Sequence, residues 1–309
     1  MSNQAIVLTR FGGVDATKLR DTTIPEATDG FVVVRVGAAG INGIDWKIRE
    51  GYLRDAMPTE FPTVLGQELA GTIHAAMPNA RFKVGDRVFG LAAPGGGAYA
   101  EYVAVPEALL AATPDVLSDL TAAALPVAGL TAWQMLHAAG LPRPGDTVLV
   151  HGASGGVGTL LVQMAKHLGL ETAATALPSG RQHLFDLGVT TVIDRTTERF
   201  EDEVSDIDLV IDLAGGDAPD RSWSVLHEGG AIVSAARFDI AAPRVDGRRG
   251  IALMMQPDSD RLAAIAADVS TGRMKVAIDQ IVPLSGIPSA IERNRTGHGP
   301  GKTVADFTL

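Results

Sequence analysis

The chain reads as an α/β protein in which an irregular, β-rich first portion precedes a doubly wound parallel sheet. Three observations predict this. Short β-branched runs in the first 125 residues are punctuated by glycine, proline, Asp and Asn, as in a turn-rich β domain. From Thr147 onward, apolar strand patterns alternate with helical ones, which means parallel strands covered on both faces. Where the two regions meet, residues 146–158 read DTVLVHGASGGVG, a strand, a glycine turn and the start of a helix.

Strands are expected at residues 5–8, 30–36, 69–74, 87–90 and 98–105. Residues 119–139 are rich in Ala and Leu and read as helical, and the Pro142-Arg143-Pro144-Gly145 turn ends them. A buried strand follows at 147–150. In the next helix Val157, Leu160, Leu161, Met164 and Leu168 recur at helical spacing, with Gly169 as the stop. Strands at 172–175, 191–193, 209–213 and 231–234 then alternate with helices at 179–187 and 218–226. An amphipathic helix is expected at 261–270. The tail from 275 reads strand, helix, strand and is expected to return to the first portion.

A length of 309 residues fits about two domains. The formal charge of −10 argues against non-specific binding to nucleic acid or anionic membrane. With no cysteine, disulfides and thiolate-ligated metal sites are excluded. The N-terminus carries no secretory pattern. The most apolar stretch, residues 125–141, is interrupted by Gln134 and His137, so a cytoplasmic protein without a membrane span is expected.

The glycine turn carries the chemistry. Gly152, Gly155, Gly156 and Gly158 let backbone approach a pyrophosphate, and the following helix offers free N–H groups and a partial positive charge. A nucleotide cofactor is therefore expected here. At the end of the second strand of this region, Ala174-Thr175-Ala176 lacks the acid that usually binds the ribose diol of NAD. Ser179 and Arg181 follow, a hydroxyl and a guanidinium suited to a 2′-phosphate, so NADPH is expected. Arg195 either adds to that site or faces water.

Further landmarks are Gly40-Ile41-Asn42-Gly43-Ile44-Asp45-Trp46-Lys47, Val64-Leu65-Gly66-Gln67-Glu68-Leu69-Ala70-Gly71 and Val84-Gly85-Asp86-Arg87-Val88. Gly97-Ala98-Tyr99-Ala100-Glu101-Tyr102, Leu125-Pro126-Val127-Ala128-Gly129-Leu130-Thr131-Ala132 and Gly297-His298-Gly299-Pro300-Gly301-Lys302 complete the set. In this order the chain resembles the zinc-free quinone oxidoreductases, the zeta-crystallin-like group of the medium-chain dehydrogenase/reductase superfamily. The resemblance spans nearly the whole chain. It implies a GroES-like catalytic domain over 1–125, completed by 270–309, with a Rossmann NADPH-binding domain at 126–269. It also implies a homodimer.

The resemblance places Thr131, Ser154, Gly155, Val157, Leu213, Ser234 and Lys302 near the cofactor. Asn42 and Asp45 match the family's Asn-x-x-Asp pattern. Asn42 is expected to hydrogen-bond a substrate oxygen as charge develops, with Asp45 orienting it or the nicotinamide ribose. The alternative is a turn in which both residues bond their own backbone. Tyr52 stands one place before the family's usual tyrosine, and Trp46 is either pocket wall or core. Asn42, Gln67 and Ala128 occupy the positions that hold zinc in metal-dependent relatives, and none is a good zinc ligand.

The small-molecule substrate implied is a quinone or an α,β-unsaturated carbonyl, reduced by NADPH without zinc. Two alternatives remain, an enoyl-thioester reductase of a biosynthetic pathway and a catalytically idle NADPH-binding protein.

Overall fold

The computed structural model describes residues 2–93, 97–140, 142–242, 246–297 and 299–309. His298 of the near-terminal landmark and Leu141 of the apolar stretch lie outside them. The chain forms two compact units. One comprises Met1–Val127, Pro257–His298 and Lys302–Leu309, and the other Ala128–Gln256 with Gly299–Gly301.

In the second unit six strands form one fully parallel sheet: Thr147–His151, Glu171–Ala176, Thr191–Asp194, Ile207–Asp212, Leu226–Ser234 and Arg249–Ala252. Numbered along the chain, they lie in the order 3-2-1-4-5-6, the doubly wound arrangement expected of a dinucleotide-binding sheet. Leu149, Ile193, Val210 and Ile232 supply apolar side chains to its core, joined by Phe200 and Val225.

The first unit is built on the long strand Phe31–Ile41, which is flanked antiparallel by Glu68–Ala75 on one side and Lys302–Asp306 on the other. Arg87–Leu91, Leu110–Ala112 and Ile278–Pro283 extend that sheet, and Tyr102–Pro106 pairs with the start of Phe31–Ile41. A smaller sheet joins Asn3–Leu8 to Thr17–Thr22 and Thr63–Val64. The returning tail thus supplies the strand Lys302–Asp306 next to the central one.

Several elements differ from expectation. The helix Ser259–Ser270 belongs to the first unit rather than the second, because it packs against Leu110–Ala112. Residues 98–101 are not a continuous strand. The amides of Ala98 and Tyr99 turn to the carbonyls of Gly66 and Leu65, and regular pairing begins at Tyr102. The helix at Ala218 ends at Ser222, since Leu226 already starts the next strand. Residues 178–180 form a 3₁₀ turn before the helix Arg181–Leu187. The helix Gly43–Arg49 and the strands Thr17–Thr22 and Arg249–Ala252 were not expected. The first strand is too polar and the last too short to carry a periodic signal.

Candidate active site and cofactor site

The register of the first unit's sheet gathers residues that are distant in sequence. Gly40 lies opposite Glu68, and Ile41 opposite Thr303. The end of the central strand therefore has Glu68 on one flank and Lys302 on the other, with Asn42 just beyond. Asn42 is the N-cap of Gly43–Arg49. Asp45, three residues on, accepts the Asn42 backbone N–H through Oδ2 at 2.7 Å, one half of a capping box.

These groups form one buried polar cluster. Lys302 Nζ donates to Asn42 Oδ1 at 2.5 Å, to Glu68 Oε1 at 2.6 Å and to the Ile41 carbonyl at 3.2 Å. Asn42 Nδ2 donates to Glu68 Oε1 at 2.9 Å and makes a longer contact of 3.4 Å with the Gly40 carbonyl. Glu68 Oε2 accepts the Val127 N–H at 2.7 Å. Tyr99 donates its hydroxyl to Asp45 Oδ2 at 2.7 Å. Burial pushes the Asp45 carboxyl from its usual 3.8 up to about 6, against the opposing hydrogen bonds from Tyr99 and Asn42. Its contribution to stability is thus complete below pH 3.8 and is lost as pH rises through about 6. Desolvation, followed by the charge and hydrogen bond of Asp45, likewise holds Tyr99 well above its ordinary range and so protonated.

Asn42, Asp45 and Lys302 thus come together. Asp45 behaves as a turn residue, bonding the Asn42 backbone, whereas the short contacts of the Asn42 side chain run to Lys302 and Glu68. All three ammonium hydrogens of Lys302 are used inside the first unit. Glu68 and Tyr99 were missed as participants. The signal that marked them was a carboxyl and a phenol inside otherwise apolar strand-like segments.

The donor set does not suit zinc. Asn42 and Gln67 offer neutral amides, and the Asn42 and Glu68 oxygens that face a possible cation already bind the Lys302 ammonium. Among the described residues, no group of three His, Asp or Glu is placed to hold a metal.

In the second unit, the glycine turn joins Thr147–His151 to the helix Gly156–His167, with Gly155 as N-cap. A side chain on Gly158 would put its Cβ 2.4 Å from the Ala153 carbonyl oxygen, so only glycine lets the helix start this close to the turn. The amides of Gly156, Val157 and Gly158, in the first turn, have no acceptor within the helix, the arrangement that elsewhere receives an anion. Ser154 accepts the Gly301 N–H at 2.9 Å through its carbonyl, which holds Gly299–Gly301 to the turn. Thr131 is buried in the helix Pro126–His137. Leu213 follows the fourth strand, and its Cβ comes 3.3 Å from where a Cβ on Gly152 would lie.

A polar row crosses the C-terminal ends of the strands, where doubly wound sheets bind ligands. Thr175 lies opposite His151, His151 opposite Asp212, and Asp212 opposite Ser234. Ser234 donates to Asp212 Oδ2 at 2.5 Å, and Asp212 Oδ1 accepts the amides of Ala214 and Gly215. His151 contacts Thr175 Oγ1 at 3.0 Å through Nδ1 and Ser222 Oγ at 2.8 Å through Nε2. Because Ser222 spends its proton on the Ala218 carbonyl, Nε2 must donate. Nδ1 of the neutral ring then accepts from Thr175. The Thr175 hydroxyl therefore points inward and has no proton left for a ligand.

Burial lowers the His151 pKa from 6.5 to about 4. The unfolded chain takes up the proton near pH 6.5, so stability is lost as pH falls from 6.5 through about 4, by about 3 kcal/mol in all. His151→Gln is expected to remove this part of the acid sensitivity. Urea unfolding of both proteins at pH 7 and pH 5 checks it, with about 2 kcal/mol less loss in the variant. An equal loss in both would show that His151 is not the group responsible.

Ser179 and Arg181 are exposed in the segment after the second strand. A Cβ on Gly180 would lie 2.9 Å from the Ser154 Cβ, so this segment sits directly against the glycine turn. Arg181 lies over the Phe185 ring at 5.8 Å. Asp194, held below the usual carboxylate range chiefly by the Thr196 side chain and amide, also feels the Arg181 charge. Arg195 has an exposed side chain, and its amide donates to the Ala176 carbonyl. Tyr52 is 71% exposed and meets Trp46 edge to face, with ring centroids 5.6 Å apart.

Comparison with known proteins places this geometry. Residues 28–115 match the alcohol dehydrogenase GroES-like domain, and residues 187–304 the zinc-binding dehydrogenase domain. Human quinone oxidoreductase is 30% identical over 97% of this chain and 95% of its own length. An Arabidopsis thaliana chloroplastic protein, the NADPH-dependent alkenal/one oxidoreductase, is 32% identical over 97% of this chain and 78% of its own. The structure of the quinone oxidoreductase from Coxiella burnetii superposes with a TM-score of 0.91 at 33% identity, covering 99% of both chains. Glycine turn, doubly wound sheet and GroES-like unit agree with these relatives, and the chain is an oxidoreductase that belongs to the medium-chain dehydrogenase/reductase superfamily, with the quinone oxidoreductases as its homologues.

Proposed function

We propose that the protein is an NADPH-dependent reductase that delivers hydride to quinones or α,β-unsaturated carbonyls without zinc. The observation that carries this reading is the cluster at Asn42. There an ammonium already holds the oxygens that a metal would need, and what remains is an amide N–H donor. Such a site lacks the Lewis acid that turns an alcohol into an alkoxide. It suits an acceptor whose own conjugation carries the incoming electrons to an oxygen, because a neutral donor stabilises the charge arriving there. The names of the human and Arabidopsis relatives point to the same acceptor classes.

A bound reduced nicotinamide supplies the hydride. Gly156, Val157 and Gly158 hold the pyrophosphate through their amides, and Ser179 and Arg181 hold the 2′-phosphate. Asn42 donates to the acceptor oxygen. Asp45, Glu68 and Lys302 fix the residues around it, with no contact to the acceptor required of them. A homodimer is the assembly read from family likeness, and sedimentation velocity tests it.

A panel of quinones, enones and enoyl thioesters, followed by loss of NADPH absorbance, tests the reading. Turnover on quinones or enones that survives exhaustive chelation is expected. Activity confined to enoyl thioesters, or lost on chelation and restored by zinc, would overturn it. NADPH binding without turnover on any acceptor would instead support an idle binding protein.

A further inference from the structure

We infer that Lys302 is a positioning residue whose ammonium, together with Glu68, fixes which way the Asn42 amide faces, so that Asn42 presents one N–H and no lone pair to the substrate. The inference rests on the proposed role of Asn42 as donor to the acceptor oxygen and adds what enforces it.

The two ends of an Asn amide are nearly equal in shape, and only their partners distinguish them. An ammonium can only donate and a carboxylate can only accept. The atom 2.5 Å from Lys302 Nζ must therefore be the amide oxygen, and the atom 2.9 Å from Glu68 Oε1 must be the nitrogen. Turning the amide over would set N–H against N–H at Lys302 and oxygen against oxygen at Glu68. The backbone N–H of Asn42 is taken by Asp45. Of the side chain's two N–H groups one is spent on Glu68, and the other has only the 3.4 Å contact with the Gly40 carbonyl. That second hydrogen is the available donor.

Lys302 itself is saturated. Its three hydrogens go to the Ile41 carbonyl, Asn42 Oδ1 and Glu68 Oε1, and its side chain is 6% exposed. Direct binding of a cofactor by this ammonium would require one of those bonds to break. The geometry instead makes it a fixed internal cation that acts through Asn42.

A double-mutant cycle on the full-length protein tests this with Asn42→Ala, Lys302→Met and the pair, measuring kcat on an enone and the NADPH dissociation constant by fluorescence titration. Because Lys302→Met strands the Glu68 carboxylate, a second variant, Lys302→Met with Glu68→Gln, removes both charges together. Cooperative melting is checked for each. Loss of amide orientation is expected to lower kcat about 10- to 100-fold in both Lys302 variants, with NADPH affinity within about two-fold of wild type. In the Asn42→Ala background the Lys302 change should cost less than about two-fold more. Additive losses, or a fall in NADPH affinity that matches the fall in kcat, would overturn the positioning role while leaving Asn42 as donor. An Asn42→Ala protein with unchanged kcat would instead remove the donor reading, and this inference with it.

Discussion

Asn42→Ala is expected to lower kcat on enones by about 10²–10³, the usual cost of losing one donor to a developing oxyanion. One N–H of its side chain is not committed at short distance, whereas Lys302 and Tyr99 have spent their donor hydrogens on Asn42, Glu68, Ile41 and Asp45. A hydroquinone anion that is solvated by water needs this donor less than an enolate, so the loss on quinones should be smaller. The variant also deprives Lys302 of one acceptor and Glu68 of one donor, worth about 1–3 kcal/mol of stability. For that reason kcat is compared at a temperature where both proteins are shown to be folded, with NADPH affinity measured separately. Unchanged turnover on both acceptor types would leave Asn42 as a helix cap and make water the proton source.

The second unit was legible in the sequence because its signals are local. Strand, glycine turn and helix follow one another within residues 147–167, and the parallel sheet needs only the alternation that comes after. The sixth strand escaped because four residues, Arg249–Ala252, hold too little pattern to separate them from a loop.

The site in the first unit was half legible. Asn42 and Asp45 share one helix turn, so their spacing was visible. What holds them comes from elsewhere in the chain: Glu68 is 26 residues away, Tyr99 is 54 from Asp45, and Lys302 is 260 from Asn42. Sheet register brings Glu68 and Lys302 to the end of the central strand, and register is a property of three strands together. Lys302 was placed near the cofactor by likeness alone, with no way to see that its hydrogens are used inside its own unit. Thr175 shows the same limit. It stands next to last in the strand, where a ribose is expected, yet its hydroxyl turns to His151 because the two lie side by side in the sheet.

Arg181→Ala is expected to weaken NADPH binding about 10- to 100-fold, from the loss of a charge-assisted contact worth about 1.5–3 kcal/mol, and to leave NADH nearly unchanged. The end of the second strand offers no acid to repel a phosphate, and Thr175 has no proton to give. Selectivity then falls to the segment after the strand. Gly180 lies against Ser154 of the glycine turn, which sets Ser179 and Arg181 beside that turn. Because Arg181 is exposed, solvent screens its charge, and the effect should lie toward the lower end of the range. The same exposure gives a second signature. Raising ionic strength from 0.01 M to 0.15 M shortens the screening length from about 30 Å to about 8 Å, so NADPH affinity of the wild type should fall with salt more steeply than that of Arg181→Ala. Titrating both cofactors into both proteins at two salt concentrations measures this directly. Equal loss of NADH and NADPH affinity in the variant would mean that Arg181 supports the fold of the turn, and the 2′-phosphate site would have to be sought at Arg195.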